Sequence, residues 1–303
     1  MSLLLSILSA DIVPIFLIAG AGFVLARTLR VDAQALTHVV FHALLPCFVF
    51  RALVGATITP SQAGRLVLLA MLVMGTTGLV GYLIARALRL GRAELSAFLL
   101  VVMFSNGGNY GLPVVSFAFG APAMSAATVY FLTGSVMTYT VGGFLAAAGT
   151  RRAGAALVGV LKMPALYGVA CALLVLRSGA PVPTPVARAV DMLADSALPL
   201  MIVILGMQLE RAVHPARPAL VVVAVLLSLV VTPLMALGFS SLLHITGPAR
   251  QAAVVLASMP VAVTTSILAM KFDSAPDFVM SAIFLSTLLS PLTLTPIIAV
   301  LVR

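Results

Sequence analysis

Within the apolar run 98–119 lies the stretch Ser105-Asn-Gly-Gly-Asn-Tyr-Gly-Leu-Pro-Val-Val-Ser116. Asn106 and Asn109 each carry an amide that both donates and accepts hydrogen bonds. Gly107, Gly108 and Gly111 permit sharp turning and close backbone approach, while Pro113 lacks an N–H and disfavours helical geometry at Leu112. Together they predict a helix interrupted over 106–113. In hydrocarbon such a gap costs on the order of several kcal/mol per unpaired backbone group unless it is buried in protein or lines a cavity. The chemistry offered is hydrogen bonding, either to a ligand or to the freed backbone, and both uses are open to Asn106 and Asn109. Tyr110 belongs either to a pocket wall or to the core. A poorer copy of the device follows Pro260, with Thr264, Thr265 and Ser266. Two half-helix N-termini aimed at one point favour an anion.

Other side chains offer less. Arg51 lies inside an apolar segment, where a charge is costly and marks a functional candidate. It has three possible uses: contact with a substrate, pairing with Asp195, or snorkelling to the outer interface. His38 and His42 share one helical face, but the intervening residues lack the Glu of a zinc-protease motif, so interfacial packing is expected and no metal site. Glu94 and Glu210 sit beside Arg92 and Arg211 as local charge pairs. Cys47 and Cys171 both fall in apolar segments and support neither a disulfide framework nor a Cys-based metal site. The glycine-rich stretch lacks the Lys and Ser/Thr of a phosphate loop, and no nucleophile–base pair or aspartate dyad of an intramembrane enzyme is evident.

The elements that must hold these groups are membrane spans. Of the 303 residues, 62% are hydrophobic and 8% charged, against about 25% charged in soluble domains. Mean hydropathy is +1.22. The net charge of +9 is spread singly or in pairs between apolar runs, which argues against nucleic acid as a partner. Spans of about 20 apolar residues are expected near 8–29, 34–56, 63–88, 93–120, 123–147, 155–177, 185–209, 218–243, 249–272 and 276–301. The first segment has no Lys or Arg before Arg27 and is expected to be a retained helix rather than a signal peptide. Arg27, Arg30, Arg86, Arg89, Arg92, Arg151, Arg152, Lys162, Arg211, Arg217 and Lys271 fall on one side of this arrangement. Arg51, Arg65, Arg177, Arg188, Arg250 and Arg303 fall on the other. The positive-inside rule then puts both termini outside. Pro14, Pro46 and Pro113 have counterparts in Pro164, Pro199 and Pro260, a weak repeat of two five-helix halves, the second inverted.

At Leu45-Pro46, Asn106-Gly-Gly-Asn-Tyr-Gly-Leu-Pro113, Leu198-Pro-Leu200 with Leu205-Gly206, Met259-Pro260 and Ser286-Thr-Leu-Leu-Ser-Pro291, the sequence resembles the auxin efflux carrier family of plant PIN-FORMED proteins and bacterial relatives. The resemblance covers nearly the whole chain. It implies an all-α fold like that of bile acid symporters, with ten transmembrane helices and crossing, broken helices 4 and 9. It implies a scaffold, often dimeric, of residues 1–62 and 151–215, and a moving transport domain of 63–150 and 216–303. The expected activity is elevator-type secondary transport of a small organic anion, auxin-like or a dicarboxylate such as malonate. Channels, intramembrane enzymes and carriers of uncharged solutes are the alternatives. Expected substrate-binding residues are Asn106, Asn109, Tyr110, Pro113, Pro260, Thr264, Thr265 and Arg51. No cofactor is expected; the coupling ion, proton or sodium, is open, since 259–272 contains no acid for a carboxylate-based sodium site. The expected partners are the substrate, the lipid bilayer and a second copy of the chain. Fifteen Arg against two Lys hint at a GC-rich bacterial genome, and so at a bacterial cytoplasmic membrane.

Overall fold

The structure, a computed structural model, describes residues 2–56, 58–147, 163–210 and 217–302. Among the described residues it is helical, and the one extended pairing is an isolated antiparallel bridge between Ser105 and Val261. Among the described residues seven helices are long and apolar enough to cross a membrane. They are α1 (Leu3–Leu29), α2 (Ala33–Val54), α3 (Pro60–Ala87), α6 (Ala121–Ala147), α8 (Thr184–Leu209), α9 (Pro218–Leu242) and α12 (Pro276–Val302). The shorter helices are α4 (Arg92–Met103), α5 (Leu112–Phe119), α7 (Pro164–Ser178), α10 (Gly247–Ala257) and α11 (Thr264–Lys271). The expected span 155–177 begins partly outside the described residues, and Met163 just before α7 is extended.

Local chemistry starts these helices. The Asp32 carboxylate accepts from the N–H groups of Gln34 and Ala35 at the head of α2. Thr59 and Gln62 form a reciprocal capping box before Pro60 at the first position of α3. Each satisfies donors that a helix N-terminus otherwise leaves bare.

Prolines shape the interiors in a recurrent way. Four π turns each end two residues before a proline: Leu8–Ile12 before Pro14, Val40–Leu44 before Pro46, Gly107–Gly111 before Pro113, and Leu227–Val231 before Pro233. In each, the residue preceding proline donates its N–H five residues back: Val13 to Leu8, Leu45 to Val40, Leu112 to Gly107, Thr232 to Leu227. Proline has no N–H, and its ring collides with the carbonyl four residues earlier. A widened turn moves that carbonyl aside. This corrects the expected interruption over 106–113: Leu112 is helical at φ −58°, ψ −47°, and the helix runs from Gly107 through Pro113 to Phe119. The break falls earlier, at Phe104–Asn106, where Phe104 is extended.

The second break lies between α10 and α11, and the two breaks cross. Asn106 N–H donates to the Pro260 carbonyl at 2.7 Å, and Ala262 N–H donates to the Phe104 carbonyl at 2.9 Å. Ser105 Oγ donates to the Leu256 carbonyl at 2.9 Å, and Val261 N–H to Ser286 Oγ at 3.1 Å. Groups freed by one interruption are thus satisfied largely by the other, as a dry interior demands.

Beside the crossing, α8 packs on α1 and α2, and α7 on α2. Glycine makes these contacts possible. A Cβ on Gly206 would stand 1.7 Å from the Ala19 carbonyl oxygen, one on Gly22 2.1 Å from that of Val203, and one on Gly168 2.4 Å from that of Pro46. These helices touch backbone to backbone.

Candidate functional site

The crossing opens onto a cavity of about 580 Å³. Its polar floor is the first break and the turn after it, Ser105 to Asn109; α2, α6, α11, α12 and the ends of α7 and α8 supply the walls. Among its described lining residues there is no Asp, Glu, Lys or Arg. Much of the wall is apolar: Phe41, Met74, Phe131, Leu256, Ile267 and Phe284 all contribute.

Asn106 and Asn109 are both 5% exposed. The Asn106 backbone is fully engaged, its N–H to Pro260 and its carbonyl accepting from Gly111 N–H at 2.9 Å. Its side-chain Nδ2 and the Oδ1 of Asn109 have no partner. A third buried polar atom without a partner is Oε1 of Gln208, near the end of α8, and it too belongs to a cavity residue. An unsatisfied buried polar group costs about 1–3 kcal/mol, and native interiors hold few of them. Three on one cavity, two from the first break and one from the end of α8, form a set of hydrogen-bonding positions suited to a ligand.

Glycine again shapes the floor. A Cβ at Gly108 would meet the Phe131 ring at 3.1 Å, and one at Gly111 would stand 2.9 Å from Leu256. The turn can therefore lie flat under α6 and α10 only without side chains. At this helix start Gly107 N–H donates to the Ser105 carbonyl at 2.8 Å. The N–H groups beyond Pro113 lie within α5.

The other expected site residues divide. Thr264 lines the cavity. Thr265 is fully buried and off it, its hydroxyl donating to the Ala262 carbonyl at 2.6 Å; Ser266, its neighbour, does reach the wall. Tyr110 is core: fully buried, 3.0 Å from Ser290 Oγ through its hydroxyl, with its ring edge-on to Phe16 at 6.1 Å. Pro113 and Pro260 are also off the cavity; they shape the backbone behind it. Arg51 is elsewhere, its guanidinium 2.6 Å from Asp195 and 3.9 Å from Asp191. Of its three possible uses, pairing is the one the geometry realises.

Three further contributors, Gln208, His38 and His42, escaped the sequence reading. Gln208 ends an apolar run and gave no signal. His38 and His42, assigned to interfacial packing, both line the cavity with rings 5.7 Å apart; their four-residue spacing was the available clue. Glu94 pairs with Arg217 at 2.9 Å rather than with Arg92, while Arg211 lies outside the described residues. Among the described residues no group of three or more His, Cys, Asp or Glu gathers.

Residues 7–298 match the family described as membrane transport protein. An uncharacterized transporter of Methanothermobacter thermautotrophicus (strain Delta H) is 28% identical over 268 residues, covering 87% of each chain.

Proposed function

The chain belongs to the membrane transport protein family, the auxin efflux carrier-like family, and on that premise we propose that it is a secondary carrier for a small organic anion. The observation that carries this reading is the convergence of Asn106, Asn109 and Gln208, each with an unpartnered buried amide atom, on one cavity at the crossing of two broken helices. Carboxylate recognition fits it. The starts of two helical segments, at Gly107 and Thr264, lie at the cavity, and the positive end of each helix dipole favours negative charge. With no acidic side chain in the described wall, a cation would find no counter-charge. The apolar walls favour an anion with an aromatic or aliphatic body over a compact dicarboxylate such as malonate. Both comparisons lie with transporters, and neither lies with an enzyme.

The architecture in this reading is ten spans. Adding α7 and the two broken pairs, α4 with α5 and α10 with α11, to the seven long helices reaches that number. The close backbone contacts among α1, α2, α7 and α8 support a stationary scaffold, with the crossing region as its moving partner in an elevator cycle. The cavity touches the first turn of α2, the start of α7 and the end of α8. That end of the molecule also carries Arg27, Arg30, Arg86, Arg89 and Arg217, so under the positive-inside rule the cavity faces the cytoplasm and both termini lie outside the cytoplasmic membrane. Asp195 lies near the middle of α8, yet its side chain is 72% exposed beside Arg51. Charge there is costly against lipid, which supports a second copy covering this face.

The test is a thermal-shift panel of aromatic and aliphatic carboxylates at several pH and sodium values, since ligands that bind the folded state stabilise it. It is followed by uptake into proteoliposomes. Saturable uptake of a stabilising carboxylate is expected; stabilisation by cations or uncharged solutes alone would reject the anion reading. For orientation, a cysteine at Ala180 should react from outside and one at Leu88 from inside, with Cys47 and Cys171 replaced.

A further inference from the structure

The cavity wall carries no permanent charge among its described residues, yet it carries two side chains that can acquire one. His38 and His42 sit on successive turns of α2, on the face that also presents Gln34, Phe41 and Leu45 to the cavity. Both residues are solvent-exposed. His42 Nδ1 lies 3.0 Å from the His38 carbonyl, which turns its Nε2 edge away from the helix backbone. Resting on the anion-carrier reading, we propose that the His38–His42 pair is a proton-controlled counter-charge for the substrate, so that the cavity holds a carboxylate more tightly when an imidazole is protonated.

The surroundings leave this role to the pair. Among the described residues, α7 and α8 pack against 33–44. On α8, Arg188, Asp191 and Asp195 gather with Arg51 on another face, and Glu210 follows the helix one residue after Leu209. On α7, Arg177 lies at the end remote from Pro164, which is the end that meets the cavity; Tyr167 lies between. On α2 itself, Asp32 is occupied with the amides of Gln34 and Ala35, and Arg30 precedes it in a left-handed turn. Across the cavity stand Tyr130 and Tyr139 of α6, phenols that ordinarily stay neutral below about pH 10, and Met270, followed by Lys271 at the end of α11. Imidazole is the side chain whose ordinary titration falls between about pH 5 and 8. A single positive charge in a partly dry cavity attracts a carboxylate well beyond what the same charge achieves in bulk water.

The division of groups gives the proposal mechanistic content. The neutral amides of Asn106 and Asn109 lie on the crossing, whereas the histidines lie on α2, in the proposed scaffold. Protonation then favours filling of the cavity, and the anion leaves the imidazolium behind as the crossing moves. The pair sets how readily the carrier loads at a given cytoplasmic pH without itself being carried across.

The experiment uses the full-length protein in nanodiscs, with indole-3-acetate as the anionic probe and indole-3-acetamide as its uncharged counterpart, each titrated at pH 6 and pH 8. Indole-3-acetate is expected to bind about tenfold more tightly at pH 6, by the attraction of one gained charge, and indole-3-acetamide equally at both. His38→Gln combined with His42→Gln should abolish the difference. His38→Gln combined with His42→Lys should instead give tight binding at pH 8 that is independent of pH. A flat profile in the unaltered protein, a slope that survives the double substitution, or an equal slope with indole-3-acetamide would each overturn the proposal while leaving the anion reading intact. Absence of indole-3-acetate binding at both pH values overturns the proposal for aromatic monocarboxylates, and the carboxylate panel separately decides the anion reading.

Discussion

Two polar regions on the apolar helices of this protein are built on opposite plans. One, around Arg51, Asp191 and Asp195, consists of full charges paired side by side on an exposed face, with Arg51 2.6 Å from Asp195. The other, around Asn106, Asn109 and Gln208, has no formal charge, is largely buried and leaves three amide atoms unpaired. The charged region has answered its own electrostatic demand, while the neutral region has not. A cost that a fold leaves unsettled at a cavity is one a ligand can relieve; a pair already in contact has little further to offer.

Substitutions that separate the two regions can be ranked by their expected effect on binding. Asn109→Ala heads the series. Loss of one hydrogen bond to a charged ligand costs about 1.5–3 kcal/mol, roughly a ten- to hundredfold drop in affinity, and the melting temperature should hold because Oδ1 has no protein partner to lose. Unchanged affinity in a folded variant would break the comparison at its centre. Gln208→Leu comes next. It removes an unsatisfied atom from the opposite wall, so binding should weaken severalfold while the empty protein becomes more stable; a stability loss would mean that the amide has a structural duty.

The adjacent threonines should then part company. Thr264→Val should lower affinity, within the about 0.5–1.5 kcal/mol of an ordinary hydrogen bond, as read by isothermal titration. Thr265→Val should lower the melting temperature instead, because its hydroxyl serves the Ala262 carbonyl. Arg51→Gln is last, with no expected change in affinity. Its effect lies in stability and sharpens the contrast. A pair bared to water is worth about 0–1 kcal/mol, whereas breaking one that is closed over costs about 3–5 kcal/mol. The larger loss, largely recovered when Asp195→Asn is added, is expected if a second copy covers this face. Weakened binding in Arg51→Gln would reunite regions that the structure keeps apart.

Much of this organisation was legible because hydrocarbon imposes simple demands. Apolar runs located the helices to within a few residues, as α9 over 218–242 against an expected 218–243 illustrates. The Asn-Gly-Gly-Asn stretch marked a break because those residues are poor in a helix interior. The exact position of that break was not legible. Pro113 looked like the interruption, but a widened turn absorbed its missing N–H, and no one-dimensional pattern distinguishes a proline that stops a helix from one that swells it. The use of Arg51 stayed open among three for a related reason: an intramembrane charge advertises cost, and the sequence does not say whether the compensating group is a substrate or an aspartate 144 positions away. That Gln208 reaches the cavity, and that Thr264 does while Thr265 does not, depended on side-chain direction, which is fixed by how distant helices pack.

The clasp between the two breaks has a further consequence for the protein's history. Its strongest links, Asn106 N–H to Pro260 and Ala262 N–H to Phe104, run from main chain to main chain. Such links do not depend on which side chain is mounted on them. A lineage could therefore exchange the amides and hydroxyls facing the cavity, and with them the cargo, without renegotiating the crossing itself. Shape is inherited through the backbone, and taste through the side chains.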